Sequence, residues 1–135
     1  MALVVDTGPL VAAANLDDPD HRACRTLLET SAEPIIVPDP VVGETGFMIG
    51  RILGPAAEAA FLRSLAGGEL RVEGLTPADL DRMAELVETY ADLPLGTADA
   101  SVVAERLNIG DVATLDHRHF TVVRPRHVAA LRLVP

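Results

Sequence analysis

The chain contains no lysine: its 11 basic residues are all arginine. That absence removes the lysine of a phosphate-binding P-loop, any Schiff-base lysine, and the lysine a receiver-type phosphorelay domain requires. Cysteine is almost as scarce. Cys24 stands alone, which excludes an internal disulfide and a thiolate zinc cluster, and makes a reducing, cytoplasmic setting the expectation. No apolar run reaches the roughly 18 residues needed to cross a bilayer, so no membrane association is expected. The opening MALVVD has neither a basic stretch nor a small-residue cleavage site and does not read as a secretory signal.

Positive charge as a whole is in short supply. Twenty Asp and Glu stand against 11 basic residues, a formal net charge of −9. Such a surface disfavours non-specific nucleic-acid binding, which depends on neutralising phosphates. A nucleic-acid substrate would have to be held by bridging metals, a local Arg patch or a second subunit. A basic protein segment is the other partner this charge invites.

What is present suits a single domain over residues 1–135, with nearly half of the residues hydrophobic. Short aliphatic runs predict strands at Leu3–Val5, at Pro34–Pro38 with Ile35, Ile36 and Val37 inside, at Leu70–Val72, at Val112–Leu115 and at Thr121–Val123. Between them, proline and cap signals mark helices: Leu10–Asn15, from Asp18-Pro19 to about Thr30, from Asp39-Pro40 to about Leu53, Ala56–Ala66, from the Thr76 cap to about Tyr90, and Asp99–Asn108. Strands alternating with helices imply an α/β fold with a mostly parallel sheet covered on both faces.

Most of the acids have ordinary explanations. Asp17, Asp18, Asp20, Asp39, Asp79 and Asp81 sit at helix starts, where the helix dipole favours negative charge. Glu58, Glu85, Glu88 and Glu105 read as exposed helix positions. Four others do not fit so easily. Asp6 and Asp116 each follow a strand at its carboxyl end, where open parallel sheets place their ligand crevice, although Asp also caps such turns. Glu44 shares a helix face with Val41, Phe47 and Met48, and Asp99 does so with Val102 and Val103. A carboxylate on a buried face is costly unless it is paired, with Arg51 or Arg106 as available partners, or bound to a cation. Together, four such carboxylates would repel one another without a cation between them. Hard oxygen donors select Mg²⁺, with Mn²⁺ able to substitute, over zinc. That is the equipment of metal-assisted phosphodiester hydrolysis.

Four stretches then carry a resemblance that spans essentially the whole chain: VVDTGPLVA at 4–12, PDPVVGE at 38–44, YADLPLGTADA at 90–100 and VATLDHRHF at 112–120. In this order and spacing the chain resembles the PIN-domain ribonucleases, and among them the toxins of VapBC-type toxin–antitoxin pairs. The resemblance implies a three-layer α/β/α sandwich, a homodimer, an RNA substrate cleaved with metal-activated water to 5′-phosphate and 3′-hydroxyl ends, and a VapB-type antitoxin whose C-terminal segment fills the acidic groove. It casts Asp6 and Asp99 as Mg²⁺ ligands, Glu44 as a ligand directly or through water, and Asp116 as the fourth acid of the catalytic set. Thr7 and Thr97 match flanking hydroxyl positions. Asp92 falls where such toxins often carry an acid, and a loop-capping role suits it better.

Other candidates are weaker. His117 and His119 flank Asp116, but no second His lies at zinc spacing on a helix. Arg118 is a candidate phosphate contact. Arg124, Arg126 and Arg132 form either a solvated edge or an RNA-guiding patch. A haloacid-dehalogenase-like phosphohydrolase would need a second Asp at position 8, which is Gly8, and a lysine. The remaining alternative is a metal-binding, antitoxin-binding module with little or no turnover.

Overall fold

The computed structural model describes residues 2–135. Its centre is a five-stranded sheet in the order β3-β2-β1-β4-β5, parallel throughout. The strands are β1 (Leu3–Val5), β2 (Ile35–Pro38), β3 (Arg71–Glu73), β4 (Asp111–Ala113) and β5 (Arg132–Val134). Among the described residues seven helices connect them: α1 (Thr7–Ala14), α2 (His21–Thr30), α3 (Asp39–Leu53), α4 (Pro55–Ala66), α5 (Pro77–Thr89), α6 (Leu95–Leu107) and α7 (His117–Val122).

Successive strand side chains point to opposite faces, and the buried clusters divide accordingly. Leu3, Val5, Ile35, Val37 and Ala113 pack with Leu10, Val41, Ile49 and Phe61, from α1, α3 and α4. Val4, Ile36 and Val112 pack on the other side with Ala100, Val103 and Phe120, from α6 and α7. Met83 and Leu86 of α5 close over Ala98 and Val102 of α6. The result is the expected α/β/α sandwich. Each fully buried aliphatic side chain contributes roughly 1.5–3 kcal/mol.

Strand order fixes where a ligand can sit. From β1 the chain steps outward through β2 to β3 with helices on one face. It then returns beside β1 as β4, with α5, α6 and α7 on the other. The order reverses between β1 and β4, the topological switch point at which open α/β sheets leave a crevice beyond the carboxyl ends of the strands. The residues that follow these two strands are Asp6 on one and Thr114 to Asp116 on the other.

The local signals were read with some errors. Thr121 and Val122 lie in α7, not in a strand, because Phe120 is buried (2 % exposed) and holds that turn against the sheet. The fifth strand is Arg132–Val134 instead, paired with β4. Asp18-Pro19 forms a turn, with Asp18 Oδ1 accepting from the Asp20 N–H at 2.8 Å, and α2 starts at His21. Pro94 caps α6 four residues earlier than expected, so Asp99 lies in its second turn. Thr76 and Asp79 do form a capping box. Among the described residues no helix is long and apolar enough to cross a membrane.

Candidate active site

Asp6 leaves β1 with its backbone N–H donated to the Ala113 carbonyl at 2.9 Å, which joins β1 to β4 up to the edge of the crevice. Its Oδ2 accepts from the hydroxyl of the fully buried Thr114 at 3.1 Å, and Thr114 Oγ1 in turn accepts from the Asp116 N–H at 2.9 Å. One hydroxyl thus ties together the two strand-end acids. On the other side, Thr7 donates its hydroxyl to Glu44 Oε2 at 3.2 Å. Gly96, at the start of α6, backs onto both carboxylates: a Cβ there would lie 3.8 Å from Asp6 Oδ1 and 3.9 Å from Glu44 Oε2. Asp6, Thr7, Glu44 and Gly96 line a cleft of about 520 Å³, together with Met48, Thr97, Leu115 and Asp116.

Asp99 is buried behind that lining, 2 % exposed, and its Oδ1 has no hydrogen-bond partner. Burial, reinforced by the charges of Asp6 and Glu44, pushes its carboxyl up to about 8. Burial also raises Asp6, with the Thr7 N–H and the Thr114 hydroxyl opposing and the charges of Glu44 and Asp116 adding to it. This repulsion couples Asp6 to Glu44, Asp116 and Asp99, and Asp99 also to Glu44. Neither arginine available as a neutralising partner serves: Arg106 binds Asp79 and Glu73, while Arg51 lies over the Phe47 ring, 5.8 Å from its centroid.

Glu44 reaches the cleft by a different route from the one its sequence neighbours suggest. The buried face of α3 is Val41, Thr45 and Ile49, whereas Glu44 and Phe47 are exposed. Glu44 is therefore a solvent-facing wall of the cleft and not a carboxylate on an apolar face. Glu105 is likewise not an ordinary exposed acid, since Arg82 clasps it through Nε at 3.1 Å and Nη2 at 2.9 Å. Thr97 is buried on the lining, Arg118 is exposed on α7, and Asp92 stands outside the cleft in a turn at φ 60°. Arg126 is engaged by Glu85 and Arg124 by the Thr121 carbonyl, so neither forms a free patch.

Thr114 escaped the sequence reading, which considered His119 only as a metal ligand. Thr114 could have been found from spacing, because Thr97-Ala-Asp99 and Thr114-Leu-Asp116 repeat one Thr-x-Asp pattern. His119 meets the Asp116 carboxylate through Nδ1, at 2.7 Å from Oδ2 and 3.0 Å from Oδ1.

The donor set is all oxygen and the deepest carboxylate has an unpartnered atom, which suits Mg²⁺ or Mn²⁺. Among the described residues no three His, Cys, Asp or Glu side chains stand close enough to enclose an ion unaided. A cation held here would keep positions for water or phosphate oxygens, as Mg²⁺ characteristically does. A second hollow of about 480 Å³, between α1, α2 and α4, has walls such as Leu10, Leu28 and Phe61 and offers no comparable chemistry.

Comparison with known proteins bears on the family and the fold. The PIN domain family model matches residues 3–124. The chain is 33 % identical over 135 residues to Ribonuclease VapC26 of Mycobacterium tuberculosis, covering 98 % of this chain and 100 % of that protein. Its fold is similar to the crystal structure of Mycobacterium tuberculosis VapC20, a Sarcin-Ricin loop cleaving toxin, with a TM-score of 0.80 and 21 % identity, over 87 % of this chain and 92 % of the other.

Proposed function

The chain belongs to the PIN-domain family, and on that footing we propose that it is a Mg²⁺-dependent endoribonuclease, the toxin of a type II toxin–antitoxin pair. In this reading residues 1–135 act as one PIN domain, dimerise, and are held inactive in the cytoplasm by a VapB-type antitoxin. The observation that carries the reading is Asp99: a buried carboxylate whose charged form is opposed by Asp6 and Glu44, with no cationic side chain among the described residues to neutralise it. Such an arrangement stores repulsion that a divalent cation would relieve.

Asp6 and Asp99 are the residues we assign to hold Mg²⁺, with Mn²⁺ able to substitute. Glu44 and Asp116, both on the cleft lining, complete the acid set. When bound, the metal supplies positive charge at a scissile phosphate and an activated water for in-line attack. The chain itself contributes orientation. Thr114 fixes one oxygen of Asp6 and Thr7 fixes one of Glu44, so their remaining lone pairs stay directed into the cleft. Thr97 on the lining and Arg118, exposed on α7, are the side chains we assign to phosphate contact. No side chain becomes a covalent nucleophile.

The test uses purified protein freed of any partner, incubated with structured RNAs in Mg²⁺ and again in EDTA. Cleavage in Mg²⁺, abolished by EDTA and by Asp6→Asn, is the expected result. Metal binding without cleavage of any RNA would instead favour a binding module with little turnover. Full activity in EDTA would overturn the metal assignment.

A further inference from the structure

His119 occupies the third position of α7, whose cap is Asp116. A residue there ordinarily contributes only its backbone N–H to the cap, and His119 does so, to Oδ1 at 3.2 Å. Its ring adds a second interaction, because Nδ1 lies against both carboxylate oxygens. An ionised carboxylate can only accept hydrogen bonds, so Nδ1 must carry the proton in this contact, which leaves Nε2 as the free ring atom of the neutral form. Asp116 is thereby gripped from two directions: its backbone N–H by Thr114, and its carboxylate by His119. Phe120, the next residue, is buried in the core and fixes the turn that presents the ring.

This grip matters because of what Asp116 faces. It lines the cleft and adds to the repulsion felt by Asp6. Unrestrained, a half-exposed carboxylate at the mouth of an acidic cleft would swing away from its like-charged neighbours. We propose that His119 is a positioning residue for the ribonuclease reaction, holding the Asp116 carboxylate against the cleft through its Nδ1–H. The inference rests on the proposed function. It assigns the histidine neither to metal nor to substrate, and it follows the logic by which a second layer of hydrogen bonds orients metal-binding carboxylates.

The atom-specific form of the contact supplies the test. The amide nitrogen of asparagine falls near the place of Nδ1, while that of glutamine reaches farther, toward the place of Nε2. In purified full-length protein, His119→Asn should keep cleavage and Mn²⁺ affinity within about threefold of wild type, whereas His119→Ala and His119→Gln should lose roughly tenfold or more. Thermal melts confirm that each variant is folded. The loss should not multiply with that of Asp116→Asn: the double variant Asp116→Asn/His119→Ala should cleave no more slowly than Asp116→Asn alone. Long-range ¹H–¹⁵N spectra of the neutral ring should show the proton on Nδ1. A folded His119→Ala equal to wild type in cleavage and Mn²⁺ affinity would overturn this inference alone, as would losses that multiply in the double variant. A wild-type protein that neither binds Mn²⁺ nor cleaves RNA would overturn the ribonuclease reading and this inference with it.

Discussion

Two carboxylates in this molecule are buried to nearly the same degree, Asp79 at 3 % exposure and Asp99 at 2 %, and their surroundings could hardly differ more. Asp79 accepts from Arg106 Nε at 3.0 and 3.1 Å and from the Thr76 N–H at 2.9 Å, inside a network in which Arg106 also holds Glu73 and Arg82 holds Glu105. Asp99 has two acids for neighbours and an oxygen with no partner. Burial alone therefore does not mark a functional acid. What marks it is burial that the protein leaves uncompensated, in a place a ligand can reach.

The sharpest way to break this comparison is to mutate both acids. Asp99→Asn should lower RNA cleavage by roughly 10²–10³-fold while leaving the fold intact and, above pH 8, stabilising the metal-free protein. Asp79→Ala should do the reverse: it leaves Arg106 short of a partner and removes the Asp79 half of the α5 capping box, at about 3 kcal/mol of stability, with cleavage by the folded fraction unchanged. Paired melts and cleavage rates check both. Equal losses of activity in the two variants would erase the distinction.

The two regions should also respond oppositely to pH. Asp99 in the folded protein, raised to about 8 from an ordinary 3.8, keeps a proton that the unfolded chain has already released. Stability of the metal-free protein should fall as pH rises from about 4 to 8, then level off, and Mg²⁺ should restore it. Burial pushes Glu105 up, but the hydrogen bonds and charges of Arg82 and Arg126 win and hold it below its ordinary 4.5. Its contribution is present above that value and lost as pH falls through its lowered folded-state value. Denaturation curves across pH 3–9 for wild type, Asp99→Asn and Glu105→Gln would separate the two slopes.

Smaller effects sharpen the picture. Thr114→Val removes the hydroxyl that fixes Asp6 and should weaken Mn²⁺ binding about tenfold, with Thr114→Ser restoring it. Arg118→Ala should raise KM for RNA by only about threefold without changing kcat, as expected for one exposed charge near phosphate.

Much of this was legible before any coordinates. The aliphatic runs ending at Asp6 and just short of Asp116 announced parallel strands with acids at their carboxyl ends, and the sheet places both at its switch point. The misreadings share a physical cause. Thr121-Val122-Val123 has strand-like side chains, but the burial of Phe120 draws Thr121 and Val122 into α7, and Val123 only caps its end. Phe47 and Met48 made the Glu44 face look apolar, yet Phe47 is 63 % exposed, so α3 is not cleanly amphipathic there. Thr114 acquires its hold on Asp6 only when β1 pairs with β4, a contact 108 residues apart in sequence, whereas the grip of His119 on Asp116 spans only three residues and depends on α7 forming there.

The central claim is that the acid cleft is a divalent-metal site whose deepest carboxylate is held protonated until metal arrives. Calorimetric titration of Mn²⁺ into the partner-free protein at pH 7, in two buffers of different ionisation enthalpy, tests it most directly. The account expects saturable binding with release of about one proton, both lost in Asp99→Asn. Saturable binding that persists unchanged in Asp99→Asn, or no binding to the wild type, would contradict it.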